Sequence, residues 1–262
     1  KVLHSTTHYS HHCCHFPCCH FPCCHYSHSH HCSHHYSHCC CRFWVWPYNV
    51  SHWISSLLLA LFGGCFAVVF LLNWINPPTT YYMWQEKQRL GKIEAPWTLF
   101  DEMASVLPRS VVAAEDANFC LHWGFDVAAI RIAIEGGGRR GASTLTQQTV
   151  KNVFLWPARS WWRKAFEAVL TPMVEVVWPK QRILEVYLNV AEFGTGIFGV
   201  KAASQHYFGV DPKNLTAVQA ARLAAILPAP KTRSASQPSS FVRARAVAIA
   251  DGAATILKDK RS

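Results

Sequence analysis

Acidic side chains are scarce in this chain of 262 residues: 15 Asp and Glu stand against 25 Lys and Arg. No acid precedes Glu86, and no Asp, Glu, Lys or Arg occurs between Arg42 and Glu86. That uncharged gap contains "ISSLLLALFGGCFAVVFLLNWI", residues 54 to 75, and a bilayer needs roughly 20 apolar residues to be crossed by a helix. A buried core helix or a signal-peptide core would be shorter, so the run is read as a transmembrane helix. Trp53 and Trp74 would sit at its two interfaces, and Pro77 with Pro78 is expected to stop it. The charges flanking the run are lopsided. Arg42 precedes it while Lys87, Arg89 and Lys92 follow, which by the positive-inside rule leans toward a cytoplasmic C-terminal domain.

Cysteine is nearly missing where the chain could fold. Ten of the 12 lie in the first 41 residues, leaving Cys65 in the apolar run and Cys120 beyond it. A domain with one thiol is not built on disulfides, and its cysteine content fixes no compartment. Strand-like alternation is also scarce. What remains is basic: from Glu86 onward the balance is about +8, which points to an anionic partner such as nucleic acid, phospholipid or a phosphorylated substrate.

Three regions follow. Residues 1 to 41 are low-complexity, with the tandem repeat "CCHFPCCHFPCCHYS" at 13 to 27. The tract cannot pack a core, and its spacing matches no zinc-finger pattern. It reads as disordered or artefactual sequence, with opportunistic metal binding as the rival. The apolar run comes second. The third, from about residue 84 to 258, is read as a mainly α-helical domain. In it "RILEVYLNVAEF" (182 to 193) puts Ile183, Val186, Tyr187 and Val190 on one face. "TAVQAARLAAILP" (216 to 228) starts at an N-cap Thr and ends at Pro228. "EGGGRRGAS" (135 to 143) is a loop by composition.

The chemistry-bearing stretches are few. "GASTLTQQTVKN" (141 to 152) carries no acid, and its donors recur four apart, Gln147 with Lys151 and Gln148 with Asn152. Residues four apart share a helix face, so a helix from near Ser143 would present two polar rows, suited to a phosphate or sugar more than to a metal. "AAEDANFCLHWGFD" (113 to 126) pairs Glu115 and Asp116, with His122 and Gly124 following. "RSWWRKAFEAVL" (159 to 170) sets Arg163 four residues before Glu167 beside tryptophans, and "PKQRILEVYLN" adds Lys180, Glu185 and Asn189. Each is weak alone. Arg163 with Glu167 is an ordinary helical ion pair by spacing, Glu115–Asp116 could cap a helix, and His122 could be a core histidine.

Their order is specific. "EDANFCLHWG", "GASTLTQQTVKN", "RSWWRKAFEA", "ILEVYLN" with "EFG", and "ARLAAILPAP" together resemble glycosyltransferase family 51 over about Tyr81 to Ile256. That is the peptidoglycan polymerase domain of bifunctional penicillin-binding proteins and of monofunctional biosynthetic transglycosylases. The single preceding helix and "FLWPARSWWRK" look most like the monofunctional kind, and no Ser-x-x-Lys, Ser-x-Asn or Lys-Thr-Gly set follows the domain.

The resemblance implies a lysozyme-like fold with a smaller membrane-facing lobe, and polymerisation of lipid II with inversion and release of undecaprenyl pyrophosphate. By match to its motifs, Glu115 is the base for the sugar 4-hydroxyl and Glu167 the second catalytic carboxylate, at the pyrophosphate end. Asp116, Phe119 and His122 would shape the acceptor side. Ser143, Thr144, Gln147, Gln148, Lys151 and Asn152 would line the substrate cleft, with the glycine-rich loop letting its rim move. Lys151, Arg163 and Lys164 would bear the leaving-group charge, since a diphosphate without nearby carboxylates needs cations. The resemblance fixes no cofactor; a divalent ion, Mg or Mn, at the pyrophosphate is left open. The implied partners are lipid II, the growing glycan strand, the membrane and other cell-wall synthases, not nucleic acid. The implied location is the inner membrane with the domain periplasmic, against the charge asymmetry above. Two rivals stand: a lysozyme-like peptidoglycan-cleaving enzyme using a raised-pKa Glu, and a membrane-tethered metal-binding protein led by the His/Cys tract.

Overall fold

The computed structural model of the chain describes residues 37–137 and 141–259, with side chains from Val50 onward. Expectations for most of the His/Cys tract, and for movement at the tip of the glycine-rich loop, fall outside the described residues. The chain divides into two units, Lys1–Leu57 and Leu58–Ser262; the packing described below lies within the second.

Helix α1 (Ser37–Leu71) carries the apolar run, and its stretch Val50–Leu71 is long and apolar enough to cross a membrane, with 6% of its most apolar window buried. The helix stops at Leu71, short of the stop expected at Pro77. Tertiary bonds claim the backbone there. Trp178 Nε1 donates to Val69 O at 2.7 Å, and Arg182 Nη2 donates to Leu72 O at 2.9 Å and Ile75 O at 3.1 Å. A carbonyl satisfied in this way no longer needs a helical partner.

The remaining elements run α2 (Tyr81–Leu90), α3 (Val106–Glu115), α4 (Val127–Glu135), α5 (Leu145–Phe154), α6 (Trp161–Val177) and α7 (Lys180–Val190). A small antiparallel hairpin, β1 (Glu192–Gly194) with β2 (Ile197–Phe198), leads into α8 (Gly199–Phe208), α9 (Ala217–Ile226) and α10 (Ser240–Lys258). The domain is mainly α, as its sparse alternation predicts.

Two helix groups make the core. In one, α9 packs on α3 and α10. Ala220, Ala221, Leu223, Ala224, Ala225 and Ile226 are all fully buried, so α9 is enclosed on most sides and its alanines let the neighbours come close. The α3–α10 approach is tight: a Cβ added at Gly252 on α10 would lie 3.1 Å from Ala113 Cβ on α3. In the other group, α5 packs against α6 and α7. The predicted face of α7 is the buried one, since Ile183, Val186, Tyr187 and Val190 are each no more than 2% exposed. Asn189, on the same helix, bridges to Thr98 through both amide atoms (2.7 and 2.9 Å). Glu185 accepts from Phe100 N at 3.1 Å. Both hold the segment before α3 in place.

Candidate active site

Helix α3 buries Leu107, Val111 and Val112 on its core side and ends on Glu115. Asp116 then leaves the helix, at φ −162° and ψ 75°. Its carboxylate is spent on structure: Oδ2 accepts from Leu145 N at 2.9 Å and Oδ1 lies 2.9 Å from His122 Nε2. A carboxylate at the unsatisfied first amides of α5 is where a helix N-terminus favours negative charge. Asp116 thus ties the α3 end to the start of α5. Phe119 is fully buried, with Lys180 Nζ 4.4 Å above its ring. That lysine also donates to His122 O and to Glu175 Oε1, both at 2.8 Å. Lys180 is therefore no simple helix-face charge; it clamps the turn that follows Glu115.

The expected helix near Ser143 begins at Leu145, capped by Thr144. Thr144 Oγ1 accepts from Gln147 N and donates to Gly124 O at 2.6 Å, while Gln147 Oε1 accepts from Thr144 N at 3.0 Å. This capping box buries both side chains, so Gln147 supports the cleft from behind and Thr144 is fixed at its edge. Gly124 is required for it. Its φ is +79°, and a Cβ there would meet Thr171 Cγ2 at 2.5 Å. The outer row faces open space: Gln148, Lys151 and Asn152 line a cavity of about 420 Å³ together with Tyr187, Glu192 and Lys231. A second cavity, of about 220 Å³, is lined by Glu115, Asp116, Asn118, Asp126 and the stretch Gly141 to Thr144.

Glu115 lines the smaller cavity, and its hydrogen-bond partner Gln148 lines the larger one. Glu115 Oε2 accepts from Gln148 Nε2 at 3.1 Å, and Gln148 Oε1 in turn accepts from the buried Tyr187 hydroxyl at 3.2 Å. The other oxygen, Oε1, is buried without a hydrogen bond, and the nearest cation, Arg245 Nη2, is 3.7 Å away. Burial pushes the Glu115 carboxyl above its ordinary range, and the Gln148 bond, Arg245, Lys151 and Arg233 pull it part of the way back. Lys151 is the counterpart: burial lowers its ammonium pKa, and it feels Glu167 and Glu115 as well as Arg163 and Lys164.

Glu167, on α6, is 3% exposed and held from both sides. Arg163 Nη1 donates to Oε2 at 2.9 Å and Lys164 Nζ to Oε1; Arg163 Nε also donates to Ala158 O at 2.9 Å. Lys164 Nζ reaches Ser143 Oγ at 3.5 Å, so this fork opens toward the start of α5. With one cation on each oxygen, Glu167 does not suit a divalent ion. Asp116, His122 and Asp126 bring potential ligand atoms within 4.8 Å of one another. Asp126, however, already accepts from Ala129 N and Asn118 Nδ2, and Asp116 is engaged as above.

Sequence reasoning missed the groups around this cleft that come from late in the chain. Arg245 and Arg233 approach Glu115 from α10 and from the turn after α9. Lys231 pairs with Glu86 at 2.9 Å beside the larger cavity, where the Tyr82 hydroxyl donates to Glu192 at 2.5 Å and burial raises Tyr82 to about 12. Arg245 did carry a signal. It lies three residues after Val242 and four before Ile249, both buried, so a charge stands on the apolar face of its helix.

Comparison with known proteins agrees with this picture. The family described as Transglycosylase matches residues 84–254. A biosynthetic peptidoglycan transglycosylase of Jannaschia sp. (strain CCS1) is 58% identical over 209 residues, covering 79% of this chain and 87% of that protein. Proteins of the same name from Stutzerimonas stutzeri (strain A1501) and Pseudomonas entomophila (strain L48) are 50% and 47% identical over 203 residues. Each of those alignments covers 74% of this chain, with 84% and 86% of the relative. From α2 into α10, and through a mainly helical, lysozyme-like domain, this chain belongs to the transglycosylase family.

Proposed function

We propose that the protein polymerises lipid II into peptidoglycan glycan strands, releasing undecaprenyl pyrophosphate with inversion at the sugar C1. The observation that carries the mechanism is the contrast between a half-partnered Glu115, one oxygen of which is buried without a hydrogen bond, and the nearby cationic set Lys151, Arg163 and Lys164. Glu115 takes the proton from the acceptor 4-hydroxyl as its oxygen bonds to C1 of the growing strand. The C1–O bond to pyrophosphate breaks, and the departing oxygen carries away the electron pair. Lys151, Arg163 and Lys164 bear that charge, as cations fixed in place before the reaction do. Gln148, held by Tyr187, orients the base through Oε2. Glu167 keeps Arg163 and Lys164 aimed at the pyrophosphate.

A raised carboxyl would equally suit the acid of a strand-cleaving lysozyme-like enzyme. A hydrolase has no diphosphate to release, and the three cations would then be without a task. The Val50–Leu71 helix supports membrane anchoring; the periplasmic face of the inner membrane is the side the family resemblance implies for the domain, against the flanking charges. Exposed Trp161 and Trp162 at the start of α6 supply an apolar surface suited to that interface. Labelled lipid II incubated with the full chain, followed by sizing of the product, tests the reading. Long glycan strands are expected. Unchanged lipid II together with shortening of finished peptidoglycan would replace it with the hydrolase.

A further inference from the structure

Five groups face Glu115 from four elements. Gln148 and Lys151 come from α5, Tyr187 from α7, Arg233 from the turn after α9, and Arg245 from α10. Arg245 alone of the three cations comes within ion-pair reach of a Glu115 oxygen among the described residues. That oxygen, Oε1, is the one Gln148 leaves unpaired, and it is buried. The Arg245 guanidinium is itself anchored, since Nη2 donates to Ala114 O at 3.3 Å, while its Nε is buried without a partner. The close α3–α10 packing at Gly252 fixes the distance between the two helices that bring these side chains together.

We infer that Arg245 is a positioning residue for the proposed base: at the oxygen that Gln148 leaves unpaired, it aims Oε1 and keeps the carboxylate charged until the proton arrives. At 3.7 Å the contact is too long for a hydrogen bond, which suits this role. A tight pair would occupy the lone pair that must accept the proton, whereas a cation one step away stabilises the charge and leaves the oxygen open. Lys151 cannot replace it, because its charge is needed for the leaving group. The inference rests on Glu115 being the base, and it adds a second function to a residue that would otherwise only cap the last turn of α3.

The test is the pH dependence of kcat/KM for lipid II polymerisation by full-length, membrane-reconstituted protein. Wild type is compared with Arg245→Gln, Arg245→Met, Arg245→Lys and Glu115→Gln, and thermal stability is followed in parallel. The acid limb of such a profile reports the base in the free enzyme. Removing an opposite charge at this range should move that limb up by about one pH unit, so a loss of about tenfold on the acid side recovers at high pH. Met keeps the apolar stem in case Gln fails to fold, and Lys should hold the limb near its wild-type place. A loss equal at every pH, with the limb unmoved in any folded neutral variant, would reduce Arg245 to a helix cap and overturn the inference while leaving the base assignment standing. Full activity in Glu115→Gln would overturn both, so the two failures are distinguishable.

Discussion

Two carboxylates of this site, Glu167 buried and Glu115 largely so, are held in opposite ways. Glu167 is met by a cation on each oxygen, supplied one helical turn away by Arg163 and Lys164. Glu115 receives one amide on one oxygen and an arginine at 3.7 Å on the other. Local spacing built the first site, and long-range packing built the second. A saturated carboxylate is a fixed piece of scaffold for its cations. A half-satisfied one retains a lone pair and a raised affinity for a proton, as a general base requires. The fold gives up stability at Glu115 and Lys151 to keep them so, consistent with strained or underpaired groups collecting where chemistry happens.

That contrast can be broken from either side. The largest effect is expected from the cations: Lys151→Ala and Arg163→Ala should each slow turnover by roughly 10²–10³-fold, the scale for losing one preorganised charge-stabilising group. Steady-state polymerisation assays read this, and mild losses in both would mean the pyrophosphate is bound elsewhere. Lys180→Ala should act through the fold instead. It strips the clamp on His122 O, Glu175 and Phe119, and should cost about 2 kcal/mol in denaturant unfolding, less than the roughly 3–5 kcal/mol for breaking a fully buried pair. The discount reflects the 28% exposure of the lysine side chain.

Glu115→Gln sharpens the comparison through stability. A carboxyl raised in the folded state stabilises the fold at acid pH, below its unfolded value, and that contribution is lost as pH rises through the folded value. At pH 8 wild type therefore carries the cost of a buried charge that the amide avoids. Glu115→Gln should melt at the same temperature or higher there, and its advantage should shrink as pH falls. A lower melting temperature at pH 8 would mean that the carboxylate is well paired. The smallest effect belongs far from the cleft. Thr216→Ala removes the capping box of α9 and should lower stability by about 1 kcal/mol, with turnover per folded molecule unchanged.

Sequence legibility followed the same divide. The α7 face, the Thr216 cap and the Arg163–Glu167 pair were readable because they depend on spacing of three or four residues. The motif order pointed to Glu115, Lys151 and Gln148, and the fold brings the three side chains together. What spacing could not reveal was direction. Gln147 and Lys151 share a helical repeat, yet Gln147 turns back into the capping box while Lys151 lines the cavity. Nor could it reveal partners brought from far along the chain, such as Arg245 against Glu115 or Arg182 ending α1 early. The clamp made by Lys180 was not readable, because its acceptors, His122 O and Glu175, become its neighbours only on folding.

The central claim, that Glu115 performs the proton transfer while Glu167 organises the pyrophosphate end, is tested most directly by lipid II binding and single-turnover polymerisation of Glu115→Gln beside Glu167→Gln. Glu115→Gln keeps the shape and the Gln148 contact but cannot accept the proton. The account predicts near-normal binding for it with polymerisation lowered by roughly 10²–10⁴-fold, and weakened donor binding in Glu167→Gln as the Arg163–Lys164 fork loosens. Near-normal polymerisation by Glu115→Gln would contradict the account.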